Sequence, residues 1–262
     1  MEQSKLAYKF TNVEKITEDL IQWIREWFEQ NGKGCNAVIG ISGGKDSTIS
    51  AALCVKALGK DRVIGIRMPN GKQYDIDDAV RVCEYLGIKS YEHNIQEIEA
   101  AIYNSVPDSA QIPLSSQSRI NLPARIRMTV LYFYSQSLNG RVVNNCNLSE
   151  NWVGYSTRYG DAAGDFAPLQ NLTVTEIKQI GHYLGLPADL VDKDPSDGLC
   201  GSTDEDAFGF SYNELDLYIR LGIAPEQDKK ERIDYLNRIN QFKLKLMPKF
   251  IPEAIGISLK EE

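Results

Sequence analysis

An apolar run, Ala37-Val38-Ile39-Gly40-Ile41, stops abruptly at Ser42-Gly43-Gly44, and a helical pattern begins at Asp46. Strand, glycine turn and helix start follow one another without a spacer, which commits this part of the chain to an α/β arrangement. The same geometry makes an anion site. The first N–H groups of a helix have no partner inside it, and the positive end of the helix dipole stands behind them. A Cβ in the turn would hold a phosphate away, so the two glycines permit close approach. Ser42 and Ser47 add hydroxyl groups. Two familiar phosphate loops do not fit. Gly-x-x-x-x-Gly-Lys-Ser/Thr would need glycine in place of Ile39 and a hydroxyl residue in place of Asp46. Gly-x-Gly-x-x-Gly is excluded by the spacing of Gly40, Gly43 and Gly44.

Strand and helix alternate around this turn. Thr11-Asn12-Val13-Glu14 reads as a capping box. It opens an amphipathic helix with Val13, Ile16, Leu20, Trp23, Ile24 and Phe28 on its apolar stripe and Asn31-Gly32 as its stop. Strands are expected at about 37–41, 62–67, 90–93 and 141–145, and helices at about 46–58, 75–86 and 117–138. The alternation predicts a Rossmann-like three-layer α/β/α fold with a mainly parallel sheet and the ligand at the carboxyl ends of its strands. Residues 147–165 read as a polar, glycine-containing stretch, and Thr173-Val174-Thr175-Glu176 as the start of a helix reaching Leu184. Residues 194–210, rich in Gly, Ser and Asp, read as a long mobile loop, followed by helices near 212–221 and 225–245. No repeat, low-complexity tract or linker appears, so residues 1–262 read as a single domain.

Composition narrows the function. The net charge of −7 argues against a nucleic-acid surface. No apolar run approaches the roughly 18 residues that span a membrane, and Met1-Glu2-Gln3-Ser4-Lys5 lacks the apolar core of a signal peptide, so a cytoplasmic protein is expected. Cys35, Cys54, Cys83, Cys146 and Cys200 are odd in number and form no Cys-x-x-Cys pair, which reads as reduced thiols. With only His93 and His182, a histidine metal site or a Ser-His-Asp machine is not expected.

Ser-Gly-Gly-x-Asp-Ser at 42–47 resembles the pyrophosphate loop of the N-type ATP pyrophosphatases. Downstream segments resemble the NAD synthetases among them: Asn121-Leu122-Pro123-Ala124-Arg125-Ile126-Arg127-Met128; Ser149-Glu150 with Gly154, Thr157, Gly160-Asp161 and Asp165; and Pro195-Ser196, Gly198-Leu199, Thr203-Asp204-Glu205, Gly209, Tyr212 and Asp216. The resemblance covers about residues 10–250. It implies ATP-dependent amidation of deamido-NAD through an acyl-adenylate, with ammonia as nitrogen source and AMP and pyrophosphate released. The pattern begins close to Met1, with no spare segment for a fused glutaminase domain, so free ammonia is expected and a separate glutaminase is left open. A homodimer is also implied, and the face at Val130, Leu131, Tyr132, Phe133 and Tyr134 suits either an interface or the chain's own core.

The resemblance assigns roles by position. ATP is expected at Gly40, Ile41, Ser42, Gly43, Gly44, Lys45, Asp46, Ser47, Asn145 and Ser196, with Lys45 and Asp46 in the chemistry. Mg²⁺ is expected at Asp46 and Glu150, hard oxygen donors that suit it. Deamido-NAD is expected at Arg125, Arg158, Asp165 and Lys243, and for Arg119 and Arg127 a helix-surface charge is a serious competing reading. Several residues depart from the pattern. Asn145 stands for a threonine, Val174 for a lysine near the ATP phosphates, Ser196 for another threonine, Arg158 for a lysine and Phe242 for a histidine. Lys45 is the expected replacement for the cation missing at Val174, with Lys178 one turn beyond it. Two alternatives stay open: another N-type pyrophosphatase, such as a GMP-synthetase-like amidase or a sulfur transferase, and a nucleotide-binding paralogue with weakened catalysis.

Overall fold

A computed structural model of the chain describes residues 7–73, 76–107, 113–193 and 204–251. Four strands form one parallel sheet in the order β3-β2-β1-β4, where β1 is Asn36–Gly40, β2 Val63–Arg67, β3 Lys89–Glu92 and β4 Gly140–Val142. The side-chain alternation of the central strands divides two apolar cores between the faces of the sheet. Ala37, Ile39 and Ile41 enter the core formed with α1 (Val13–Asn31), α2 (Lys45–Leu58), α3 (Ile76–Leu86) and α7 (Val174–Tyr183). Val38, Ile64 and Ile66 enter the opposite core, against Ile126 and Val130 of α5 (Ser116–Ser137). The expected three-layer α/β/α fold is the one observed.

A third cluster, with Val153, Val174, Phe208, Phe210, Tyr212, Leu215 and Ile233, sets the last helices, α10 (Tyr212–Leu221) and α11 (Gln227–Leu244), against the body of the fold. Among the described residues no helix is long and apolar enough to cross a membrane.

Several boundaries differ from the sequence reading. The cap of α1 is Asn12, whose side chain accepts the N–H of Lys15, so the helix starts without the box expected at Thr11. Asparagine caps at least as well as threonine, and here it sits one residue closer to the apolar stripe. Trp23 lies at the edge of that stripe and stays exposed. The fourth strand ends at Val142 rather than Asn145, because the chain turns away into the cleft. Helices α4 (Gln96–Asn104), α6 (Leu148–Val153) and α8 (Ala188–Val191) were not anticipated, and α6 lies inside the stretch read as irregular. Of the expected 194–210 loop, residues 194–203 lie outside the described residues. The remainder holds the short helix α9 (Asp204–Phe208), and Phe208 and Phe210 are buried in the third core. The loop reading therefore extended too far.

Candidate active site

The strand order places a topological switch point between β1 and β4: the chain leaves β1 toward β2 on one side and returns to β4 on the other. Ligands of such sheets bind in the crevice beyond the carboxyl ends at that point. A cleft of about 460 Å³ opens there, within the range of small-molecule sites. Gly40, Ile41, Ser42, Gly44, Lys45, Asp46 and Ser47 line it from β1 and α2, and Asn145, Cys146 and Glu150 from the segment after β4.

The turn is held in shape by its own hydroxyls. Ser42 Oγ accepts the N–H of Gly44 at 3.2 Å, Ser47 Oγ accepts the N–H of Ser42 at 3.3 Å, and Ser47 Oγ donates to the carbonyl of Gly44 at 3.1 Å. Gly43 has φ +83°, and a Cβ there would come within 2.8 Å of the Ala79 nitrogen and Asp78 Cβ at the start of α3. Both the left-handed backbone and the close packing require glycine. Gly44 caps α2 with no side-chain hydrogen bond, whereas α6, α7 and α10 each begin with a capping box.

Lys45 is buried, with its ammonium 3.1 Å from Asp46 Oδ2 and 5.6 Å from the centroid of the Tyr212 ring. The other oxygen of Asp46 accepts a hydrogen bond from Asn147 Nδ2 at 2.9 Å. Asn147 also caps α6: its Oδ1 accepts the N–H of Glu150, and its own N–H donates to Glu150 Oε2. Asp46 and Glu150 are thereby tied to one amide side chain. Burial first, and then the charges of Glu150, Asp161 and Asp46, push the Cys146 thiol well above its ordinary pKa. Three carboxylates therefore project negative potential into one place. Among the described residues no set of three or more His, Cys, Asp or Glu side chains forms a metal cage. Two hard carboxylates beside a phosphate loop nevertheless fit Mg²⁺, which usually takes one or two protein carboxylates and completes its shell with water and substrate phosphate.

Asn145 Nδ2 donates to the carbonyl of Gly40 at 3.1 Å, which stitches the β1 and β4 ends together, and its Oδ1 is buried without a protein partner. Asp161 lines the cleft, and Thr157 N–H donates to its Oδ1 at 2.9 Å. Although the residue is exposed overall, desolvation at the cleft wall raises its carboxyl pKa, and the Thr157 donor opposes that shift.

Four predicted substrate residues lie outside the cleft lining. Arg125 is exposed on α5, with its Nε donating to the Arg158 carbonyl. Arg158 places its guanidinium 5.6 Å from the Phe242 centroid and 5.0 Å from that of Tyr159, and donates to the Lys245 carbonyl. Lys243 donates to the carbonyls of Gly154 and Ser156; burial lowers its pKa and Asp161 opposes the shift. Asp165 accepts the N–H of Val142 at 2.7 Å and the Tyr132 hydroxyl at 3.3 Å, bracing β4. Ser196 lies outside the described residues. Arg127, for which the sequence left a surface charge as a competing reading, is a cleft residue, with Nε donating to the Met68 carbonyl. Lys193 also lines the cleft, with its ammonium 2.6 Å from Asp78 Oδ2. The Arg-x-Arg spacing on α5 was the available signal for Arg127, since residues two apart on a helix point in different directions. His93 and His182 contact Tyr134 and Asp192 and do not line the cleft. Cys35, Cys54, Cys83 and Cys146 are buried free thiols.

The NAD synthase family model matches residues 16–248. An NH₃-dependent NAD⁺ synthetase of Methanocaldococcus jannaschii is 40% identical over 239 residues, covering 87% of this chain and 90% of its own length. One of Finegoldia magna is 41% identical over 212 residues, covering 79% and 85%. Among solved structures, NMN synthetase from Francisella tularensis aligns with TM-score 0.83 and 32% identity over 94% of this chain and all of its own. An NH₃-dependent NAD synthetase from Campylobacter jejuni, in complex with the nitrate ion, aligns with TM-score 0.75 and 30% identity over 93% of this chain.

Proposed function

Because the chain belongs to the NAD synthase family and is a ligase forming a carbon–nitrogen bond, we propose that it amidates the nicotinate carboxylate of deamido-NAD with ammonia at the cost of ATP. A carboxylate does not exchange oxygen for nitrogen unaided, because its oxygen is a poor leaving group. Attack of a carboxylate oxygen on the α-phosphorus forms an O–P bond and breaks the bridging bond to the β-phosphate, releasing pyrophosphate. The nitrogen lone pair of ammonia then attacks the carbonyl carbon. AMP leaves with the former carboxylate oxygen, and the nitrogen gives up a proton.

Each residue role follows from where charge moves. The Ser42–Ser47 turn and the first turn of α2 supply donors to the phosphates, and Lys45 adds a cation from within that turn. Asp46 and Glu150 would hold Mg²⁺, which supplies charge neutralisation and orientation to the phosphates. Lys72, Arg127 and Lys193 bring further positive charge to the same cleft. The observation that supports this reading is the pairing of the phosphate turn with Asp46 and Glu150 at one switch point. The homodimer, and the deamido-NAD contacts at Arg125, Arg158, Asp165 and Lys243, belong to the same proposal.

The likeness to an NMN synthetase favours one second reading, in which the acceptor is nicotinate mononucleotide. One assay tests both: purified protein with ATP, Mg²⁺, ammonium and either acid, following the amide, AMP and pyrophosphate. Equimolar NAD, AMP and pyrophosphate from deamido-NAD is the expected result. A higher kcat/KM with the mononucleotide transfers the activity to that acceptor. Binding of ATP with no amide from either acid overturns both readings.

A further inference from the structure

Asn147 is fully buried, and three of its polar groups bond the two residues that carry the cleft carboxylates, two of them to the carboxylates themselves and one to the Glu150 backbone. Its Nδ2 donates to Asp46 Oδ1 at 2.9 Å, its Oδ1 accepts Glu150 N–H at 3.0 Å, and its N–H donates to Glu150 Oε2 at 3.3 Å. Asp46 belongs to α2 and Glu150 to α6, elements that reach the cleft from opposite sides of the switch point. Left alone, the two carboxylates and nearby Asp161 would repel one another and turn apart. A neutral amide that donates to one and fixes the helix turn bearing the other holds both without cancelling their charge.

We propose that Asn147 is a positioning residue that sets the relative placement of Asp46 and Glu150 for a divalent cation, an inference that rests on reading those two carboxylates as the cation's protein ligands. Capping α6 does not account for the whole arrangement, because the hydrogen bond to Asp46 contributes nothing to the cap. The two roles separate by substitution. Serine and threonine both retain an oxygen able to cap α6, and neither carries an NH₂ group to reach Asp46. Loss of a residue that orients a metal ligand typically lowers metal affinity by about 10–100-fold.

The test uses Mn²⁺ as probe, with the full chain saturated by α,β-methylene-ATP and free Mn²⁺ followed by electron paramagnetic resonance. Far-UV circular dichroism of each variant reports whether it is folded. Asn147→Ser and Asn147→Thr are expected to keep the wild-type helical spectrum and to bind Mn²⁺ at least about tenfold more weakly. Wild-type Mn²⁺ affinity in either folded variant overturns the positioning role. Asp46→Asn and Glu150→Gln separate that failure from failure of the underlying reading. If both of these bind Mn²⁺ as the wild type does, the two carboxylates are not the ligands and the positioning role falls with them.

Discussion

Lys45 and Val174 converge on Tyr212. The Lys45 ammonium lies 5.6 Å from the centre of that ring, and Val174 belongs with Tyr212 to the third apolar core. A lysine at 174 would have to reach the phosphates from the same wall that Lys45 already occupies. Valine instead completes the apolar cluster and leaves the cation to Lys45, which also holds Asp46 Oδ2. A second pair of departures accounts for itself similarly: the guanidinium of Arg158 lies over the ring of Phe242, a contact that favours arginine over lysine. If Lys45 supplies the missing phosphate-side charge, Lys45→Ala lowers kcat by about 100-fold, the scale of losing one preorganised charge donor, and raises the ATP KM. Steady-state kinetics with varied ATP decide this, and Lys45→Met, which preserves the buried stem, should behave alike. Wild-type kcat and KM in both variants would leave Lys45 as no more than a partner of Asp46.

Two helix starts, those of α6 and α7, meet at Asp216 of α10. Its buried carboxylate accepts the Ser149 hydroxyl of α6 and the N–H of Thr175 at 2.7 Å in α7, while Ser149 Oγ accepts the N–H of Val174 at 3.0 Å. Asp216 thus staples α10 to the helix that carries Glu150. Asp216→Asn exchanges one acceptor for a donor aimed at groups that also donate. The expected cost is about 1–3 kcal/mol, or roughly 2–4 °C in Tm per kcal/mol in a domain of this size. Burial raises the Asp216 pKa, against the opposing donors Ser149 and Thr175. The native state therefore holds this proton more tightly than the unfolded chain does. Its contribution to stability falls as pH climbs from the ordinary aspartate pKa to the raised native one, and is level above. The deficit of Asp216→Asn relative to wild type should accordingly be largest at the acid end and shrink with rising pH. Thermal melts across a pH series check this, and a deficit that grows with pH would contradict the sign. At this scale the sequence was only partly legible. Among the long helices, α1 shows a helical period and α2 an unbroken run of small and apolar residues, and both have clear stops. The signals of α6 were present, Asn147 three residues before Glu150 and Gly154 at its end with φ +70°, but six residues show no period. No residue of α4 is fully buried, so its sequence carries little imprint of a core.

Across the whole molecule, the parallel sheet was legible because short apolar runs and helical patterns alternate over the first half of the chain, and the phosphate turn marks the end of its central strand. The convergence of Asn147, Asp161 and Arg127 on that turn was not, since it depends on how β4 and α5 pack rather than on local pattern. The same limit applies to the α5 face expected at an interface. Val130 is buried and Leu131 and Tyr134 pack in the chain's own core, whereas Phe133 is 63% exposed. Most of that face is thus internal, and Phe133 presents a large apolar side chain to solvent. Arg125 is exposed on the same helix, and with Arg158 and Lys243 it lies off the ATP cleft. A dinucleotide acceptor that meets these cations as well as the phosphate turn extends beyond the cleft, where a second copy of α5 would complete its site. On this argument the protein sediments at twice its chain mass of 29.4 kDa. Phe133→Glu, which puts a charge into the contact, shifts it toward the monomer. The acceptor KM then rises while binding of a fluorescent ATP analogue is retained, because the phosphate turn lies wholly within one chain. A Phe133→Glu protein that stays dimeric removes Phe133 from the interface, and a monomer with unchanged acceptor KM shows that one subunit suffices.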